Sequence, residues 1–199
     1  MLSSILNKNE IHVWRVRLNR VQVAPTPGEA ARAARFETAL LRRRYLRAHA
    51  ALRSILRKVT DARLDFALQE KGKPYLPHVP EIQFNLSRSR DRAMVAVALD
   101  IPVGVDIERV RPITEHAAIA RRYFPPGESD PVNARDFFHR WTRFEAVLKA
   151  QGIGLYGAGS ELEGEWMVRE IDMGRGFAAA VAAAGSGHEV VIHDYGESE

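Results

Sequence analysis

The sequence of 199 residues contains no cysteine. Disulfide bonds, a thiolate nucleophile and zinc–thiolate sites are therefore excluded, and we expect a cytoplasmic protein. No apolar run approaches the roughly 20 residues that a membrane-spanning helix needs. The segment from Met1 to Asn9 lacks the pattern of a signal peptide. With 46% apolar and 27% charged residues, the composition is typical of one large globular domain or two small ones.

Acidic residues are scarce between Arg20 and Arg63, where eleven basic residues stand against three acids. This imbalance favours an anionic partner, such as a nucleic acid, a phosphorylated cofactor or an acidic protein. A solvated, arginine-rich helix face explains the same residues without a partner. A nucleic-acid-binding protein is the weaker hypothesis, because aromatic residues are not interleaved with the basic ones and no helix-turn-helix or zinc pattern is present.

Hydrophobic periodicity predicts a mixture of helices and strands. Strands are expected at residues 11–23, 82–86, 93–99, 103–108, 166–171, 177–183 and 189–195. A helix capped by Thr26 and Glu29 is expected to run to residue 59 with a possible break at residues 36–38. Further helices are expected at residues 111–123 and from Asn133 to a stop at Gly152.

Two polar segments are predicted to be loops. The segment Lys71-Gly72-Lys73-Pro74 has the composition of a turn. The segment from Asn85 to Asp91 combines hydroxyl groups with the guanidinium of Arg88, which suits an oxyanion. A basic turn and a polar hairpin loop explain the two segments equally well.

Three carboxylates and a lysine form the chemical pattern with the most information. Asp106 and Glu108 are two residues apart on a predicted strand, so they point to one face. Gly104 lies on the same face and leaves room there for a ligand. Glu145 and Lys149 are four residues apart on a predicted helix. Oxygen ligands beside a cation suit Mg²⁺ bound next to a phosphate, although surface ion pairs would explain the acids as well.

The motifs together resemble the Sfp-type 4′-phosphopantetheinyl transferases, in family order and across most of the chain. They are the arginine-rich helix from Arg44 to Arg53, Gly72-Lys73-Pro74, Phe84-Asn85-Leu86-Ser87, Gly104-Val105-Asp106-Ile107-Glu108, and Trp141-Thr142 followed by Glu145, Ala146, Lys149 and Gly152. The resemblance implies an α+β fold of two pseudo-symmetric halves, residues 1–101 and 102–199. Each half is expected to pack a small, mostly antiparallel sheet on a long helix, with a coenzyme A cleft between the halves.

The resemblance also implies an enzyme that transfers the 4′-phosphopantetheine arm of coenzyme A to a serine of an acyl, polyketide or peptidyl carrier protein. Mg²⁺ would be held by Asp106, Glu108 and Glu145, with Glu145 also acting as the base for the serine. Lys149 would contact the phosphates. Nucleotide-binding roles would fall to Arg32, Arg44, Gly72, Lys73, Pro74, Ser87 and Arg88. The partners expected are therefore coenzyme A and a carrier protein, without nucleic acid or membrane, and the protein is expected to be a monomer.

Two residues depart from the family pattern. The family usually has histidine where this chain has Arg88, and lysine where it has Phe144. Arginine keeps a phosphate-binding cation that stays charged at any working pH, whereas Phe144 removes one cation. These departures motivate an alternative hypothesis, a catalytically silent relative that binds coenzyme A or a carrier protein without transfer.

Overall fold

A computed structural model describes residues 5–124, 129–154 and 164–196. The predicted mixed α+β class is confirmed. Within the described residues, the order is β1 (Glu10–Arg17), α1 (Pro27–Ala33), α2 (Ala39–Val59), β2 (Ala67–Leu68), β3 (Pro74–Tyr75), β4 (Ile82–Ser89), β5 (Arg92–Leu99), β6 (Val103–Arg109), α3 (His116–Tyr123), α4 (Ala134–Gln151), β7 (Trp166–Glu170), β8 (Phe177–Ala184) and β9 (Glu189–Asp194). No helix in these ranges is long and apolar enough to cross a membrane.

The strands form two main sheets. The first has the order β4-β5-β1-β9, the second has the order β6-β8-β7, and β2 pairs with β3 as a separate hairpin. Neighbouring strands are antiparallel except β1 and β9, which are parallel. The last strand therefore joins the first sheet, although it follows the predicted boundary between residues 101 and 102 by almost ninety residues.

The two sheets lie between two long helices, in four layers. One face of the first sheet packs on α2, and its other face packs on the second sheet through apolar side chains such as Val13, Met94 and Val105. The outer face of the second sheet packs on α4. Successive side chains of a strand point to opposite faces of the sheet. The nearly continuous apolar runs of β5 and β8 therefore let each sheet bury both faces.

The helix starts agree with the capping signals in the sequence. Thr26 and Glu29 form the predicted capping box of α1, and the predicted break falls between α1 and α2, where Thr38 caps the second helix. Asn133 caps α4, which ends at Gly152 in the left-handed conformation with φ 76°. These local signals fix where the helices begin and end because they satisfy the free N–H and C=O groups of the terminal turns.

Three element boundaries differ from the prediction. β1 ends at Arg17, where its antiparallel pairing with β5 ends at Arg92. β4 continues to Ser89, so residues 85–89 are a strand and not a loop. α3 begins only at His116. Pro112 excludes Arg111 from the helix, because proline disfavours the helical conformation of the residue before it.

Gly104 does leave space, but a helix fills it. A Cβ atom at this position would lie 2.2 Å from the carbonyl oxygen of Ala146 and 2.3 Å from the amide nitrogen of Ala150. The backbone of α4 therefore packs directly on β6. The expectation that Gly104 makes room for a ligand was wrong; its role is to bring α4 close to the strand that carries Asp106 and Glu108.

Candidate active site

The acids predicted on β6 and α4 lie in one region between these elements, where Asp106 and Glu145 are buried and Glu108 is half-buried. Asp106 is 4% exposed, and its Oδ1 atom accepts hydrogen bonds from Lys149 Nζ at 2.5 Å and from Ser87 Oγ at 2.9 Å. The other oxygen, Oδ2, is buried and has no hydrogen-bond partner in the described structure. A buried carboxylate oxygen without a partner is costly, so it is a candidate ligand atom for a cation.

Glu108 and Glu145 complete the acidic cluster, which we define as Asp106, Glu108 and Glu145. Burial, followed by repulsion from Asp106, raises the pKa of Glu108 above its ordinary value, while Arg111 and Ser89 oppose the shift. Burial also raises the pKa of Glu145, and the charges of Asp106 and Glu108 add to this against the opposing effect of Lys149. The three carboxylates are therefore close enough to destabilise one another's ionised forms.

Lys149 contributes the positive charge in this region. Its ammonium group lies on Asp106 and is 3.4 Å from Ser87 Oγ. Across residues 5–124, 129–154 and 164–196, no group of three histidine or acidic side chains is arranged to hold a metal ion. In this structure, the ammonium group of Lys149 thus compensates part of the negative charge of the acidic cluster.

A second charged cluster lies on the other face of β4. The side chain of Arg88 stacks on Phe36, with 5.6 Å from Cζ to the ring centroid. Phe36 contacts Tyr45, and Tyr45 contacts His49 at a centroid distance of 4.2 Å. We call Arg32, Arg44 and Arg88 the arginine cluster. In the described part of the chain, none of these three arginines forms an ion pair with a carboxylate.

Electrostatic effects show that the three arginines are neighbours. Burial lowers the pKa of His49 to about 4, and the charges of Arg88 and Arg32 contribute to the same shift. Burial also lowers the pKa of Arg88, to which the charge of Arg44 adds. The fold therefore brings together residues from α1, α2 and β4 in a region of uncompensated positive charge, which suits an anion such as a phosphate group.

The segment Gly72-Lys73-Pro74 lies at the β2–β3 hairpin, and the lysine side chain turns inward. Lys73 is 8% exposed, and its Nζ atom donates to the carbonyl oxygens of Val103 at 3.2 Å and Ala150 at 2.7 Å. Burial lowers the pKa of Lys73 to about 8. The ammonium group therefore joins the start of β6 to the end of α4, the two elements that carry the acidic cluster.

Comparison with known proteins agrees with the predicted resemblance. Residues 102–176 match the family model described as the 4′-phosphopantetheinyl transferase superfamily. The chain is 34% identical over 170 residues to the 4′-phosphopantetheinyl transferase HetI of Nostoc sp., an alignment that covers 75% of this chain and 72% of HetI. The chain belongs to the 4′-phosphopantetheinyl transferase superfamily.

Two further relatives in this superfamily are similar over shorter stretches. The transferase psf-1 of Bacillus pumilus is 36% identical over 141 residues, which cover 65% of this chain and 59% of psf-1. The transferase Sfp of Bacillus subtilis is 36% identical over 97 residues, which cover 45% of this chain and 42% of Sfp. The chain thus spans about half the length of these two relatives.

The two departures from the superfamily pattern have different surroundings. Arg88 belongs to the arginine cluster and keeps a cation there. Phe144 is 9% exposed and packs edge-to-face against Phe124 with 5.8 Å between ring centroids. It extends an apolar patch beside Trp141 and Phe137, so the missing lysine is replaced by core packing.

Sequence reasoning missed how the polar residues of β4 are used. Ser87 was predicted to bind nucleotide phosphates with Arg88, but the two side chains lie on opposite faces of the strand. Ser87 contacts the acidic cluster, together with Ser89, which donates to Glu108 Oε2 at 3.2 Å. The alternation of polar Asn85 and Ser87 with apolar Phe84 and Leu86 was the signal, and it indicates a strand.

Proposed function

We propose that this chain transfers the 4′-phosphopantetheine arm of coenzyme A to a serine of an acyl, polyketide or peptidyl carrier protein. The observation that carries this proposal is the acidic cluster beside Lys149 in a chain of this superfamily. The relatives are named 4′-phosphopantetheinyl transferases. A nucleic-acid-binding function is disfavoured, because Asp106, Glu108 and Glu145 would repel a phosphate backbone.

The acidic cluster has the ligand chemistry that a divalent cation such as Mg²⁺ prefers, although its three carboxylates are not arranged around a metal site in the described structure. Mg²⁺ prefers carboxylate oxygens together with substrate phosphates, and Asp106 Oδ2 is a buried oxygen without a partner. The raised pKa values of Glu108 and Glu145, caused first by burial, indicate an excess of negative charge that a cation would stabilise. Asp106, Glu108 and Glu145 would hold the ion, which when bound would shield the charge of the pyrophosphate.

In the proposed reaction, the carrier serine oxygen forms a bond to the phosphorus that carries the pantetheine arm. The bond from that phosphorus to the oxygen of the neighbouring 5′-phosphate breaks, and adenosine 3′,5′-bisphosphate leaves. The carboxylate of Glu145 accepts the serine proton, a role for which a buried base with a raised pKa is suited. Lys149, whose ammonium group contacts Asp106, would supply a positive charge where the leaving phosphate gains negative charge.

The remaining predicted residues would bind the nucleotide end of coenzyme A. The arginine cluster offers guanidinium groups without acidic partners to its phosphate groups. The hairpin with Gly72, Lys73 and Pro74 would line the adenine pocket through its backbone, because the Lys73 ammonium is already used by two carbonyl groups. Ser87 and Arg88 would each contact the nucleotide, from opposite faces of β4. We place the protein in the cytoplasm as a monomer.

Intact-mass measurement tests this function and separates it from the silent alternative. The protein is incubated with Mg²⁺, coenzyme A and a panel of apo-carrier proteins from fatty-acid, polyketide and nonribosomal peptide synthesis. We expect the mass of one phosphopantetheine arm to be added to at least one carrier. Binding of coenzyme A without transfer to any carrier would favour the silent relative, and no binding of coenzyme A would contradict both.

A further inference from the structure

β4 presents different chemistry on its two faces. Phe84 and Leu86 pack on the core under α2, and Arg88 continues this face into the arginine cluster. Asn85 and Ser87 are buried on the opposite face, towards β6. The strand therefore separates the arginine cluster from the acidic cluster.

The second face of β4 contacts an edge of β6 that pairs with no strand in the described structure. Three backbone N–H groups along this edge donate to side chains of β4 and not to a strand backbone. The hydrogen bonds run from Val105 N to Asn85 Oδ1 at 3.0 Å, from Ile107 N to Ser87 Oγ at 3.3 Å and from Arg109 N to Ser89 Oγ at 3.0 Å.

We call these three bonds the side-chain ladder. They advance by two residues on both strands, so the side chains of Asn85, Ser87 and Ser89 replace the backbone acceptors of a neighbouring strand. A shift of β6 by one residue would leave these N–H groups misaligned and would turn its acids to the other face. The ladder therefore fixes the register at which β6 meets β4.

The same two hydroxyl groups also donate to the acids. Ser87 Oγ donates to Asp106 Oδ1, and Ser89 Oγ donates to Glu108 Oε2. Each hydroxyl thus accepts from a backbone N–H of β6 and donates to the carboxylate one residue before it. For Asp106 this leaves Oδ2 as the oxygen without a partner. A hydroxyl can do both at once because it has one proton and two lone pairs.

We propose that Asn85, Ser87 and Ser89 are positioning residues that orient Asp106 and Glu108 for cation binding. This inference rests on the proposed function, since it assumes that the acidic cluster binds a divalent ion. Residues that orient metal ligands commonly change metal affinity by 10-fold to 100-fold when replaced. Replacing either hydroxyl should therefore weaken the binding of the ion more than the binding of coenzyme A.

Ser89 gives the sharper test because it is only partly buried and its replacement leaves the core intact. The probe is Mn²⁺ alone, whose binding to the free protein is followed by electron paramagnetic resonance. We expect Ser89→Ala to weaken Mn²⁺ binding about tenfold, and Ser87→Ala to weaken it at least as much. Ser89→Thr keeps the hydroxyl and should restore the affinity of the wild type.

Gln83→Ala is the matched control. Gln83 lies on the same face of β4, but its amide donates to Pro80 and not to β6. Exchange of the Arg109 amide hydrogen, measured by NMR, should become faster in Ser89→Ala and remain unchanged in Gln83→Ala. This readout does not depend on any ion or on activity, and a purely local packing defect at position 89 would leave the amide protected.

Two results would overturn the inference. One is Mn²⁺ affinity that stays at the wild-type value in both Ser87→Ala and Ser89→Ala. The other is an Arg109 amide that exchanges no faster in Ser89→Ala than in Gln83→Ala. Failure of the proposed function would be seen differently, because the wild type itself would then neither bind Mn²⁺ nor transfer the phosphopantetheine arm.

Discussion

The acidic cluster and the arginine cluster lie on opposite sides of one strand, and each collects charge of one sign. Asp106 and Glu145 are buried, whereas Arg44 and Arg88 are half-buried and Arg32 is exposed. In the acidic cluster, Lys149 and two serine hydroxyls meet part of the charge. In the arginine cluster, the guanidinium of Arg88 stacks on Phe36, and no carboxylate of the described residues forms an ion pair with any of the three arginines. A different arginine shows the contrast, since Arg53 forms an ion pair with Glu29 that joins α2 to α1.

Uncompensated charge of this kind is costly in a folded protein, because burial removes water from ionised groups without providing a partner. Burial is the first cause of the raised pKa of Glu108 and Glu145 on one side of β4, and of the lowered pKa of His49 and Arg88 on the other. A ligand that brings a cation to the acidic cluster and phosphate groups to the arginine cluster would compensate the charge of both clusters. The comparison thus favours coenzyme A bound together with a divalent ion, and four predictions test it.

The largest effect is expected from substitutions in the acidic cluster. Asp106→Ala and Glu145→Gln should each reduce transfer about a thousandfold, because electrostatic groups in a reaction site commonly contribute that much to the rate. Intact-mass assays with a carrier protein measure this loss, with coenzyme A binding measured in parallel. The control is Asp91→Ala, an acid in the β4–β5 turn. Normal turnover by either variant would show that the acidic cluster is not the reaction site.

Gly104→Ala should move α4 away from β6, the two elements that carry the acidic cluster. The added Cβ would lie 2.2 Å from a backbone oxygen of α4, so the helix must move away from β6. We expect roughly a hundredfold loss of transfer and a lower unfolding temperature, measured by calorimetry. Gly28→Ala, whose Cβ meets nothing within 4 Å, is the control and should lower neither transfer nor the unfolding temperature. An unchanged Gly104→Ala protein would contradict the close packing of α4 on β6.

The third prediction concerns the arginine cluster alone. Arg88→Ala should weaken coenzyme A binding roughly tenfold to a hundredfold, since hydrogen bonds to charged groups contribute about 1.5–3 kcal/mol. The loss should be smaller for 3′-dephospho-coenzyme A, and calorimetric titration measures both. Arg43→Ala removes the same charge from an exposed position on α2 and serves as the control. Equal losses for the two ligands would place Arg88 away from the 3′-phosphate.

The smallest effect is on stability. Burial and repulsion raise the pKa of Glu145, so the stabilising neutral form is lost as pH rises through that pKa. Glu145→Gln should therefore unfold roughly 2–4 °C above the wild type at pH 7.5, with little difference near pH 4. Thermal unfolding without metal ions measures this, with the exposed Glu165→Gln as control. A variant less stable than the wild type at pH 7.5 would show that burial and neighbouring charges do not make ionised Glu145 destabilising.

Local signals in the sequence predicted much of the fold. The capping box at Thr26, the stop at Gly152 and the alternation of β6 all depend on residues a few positions apart, and all are confirmed. The predicted strand β4 was too short because Asn85, Ser87 and Ser89 are polar and were assigned to a loop. Their partners are on β6, about twenty residues away, and no local pattern indicates them.

The sequence by itself determined the superfamily, the acids on β6 and α4, and the surplus of arginine, because these depend on residue types and short spacings. Only the tertiary structure decided that Arg32, Arg44 and Arg88 lie together, that Lys73 is buried against two carbonyl groups, and that Gly104 admits a helix. The reason is physical: such contacts join distant segments, and they form only when the buried faces of two sheets and two helices pack together.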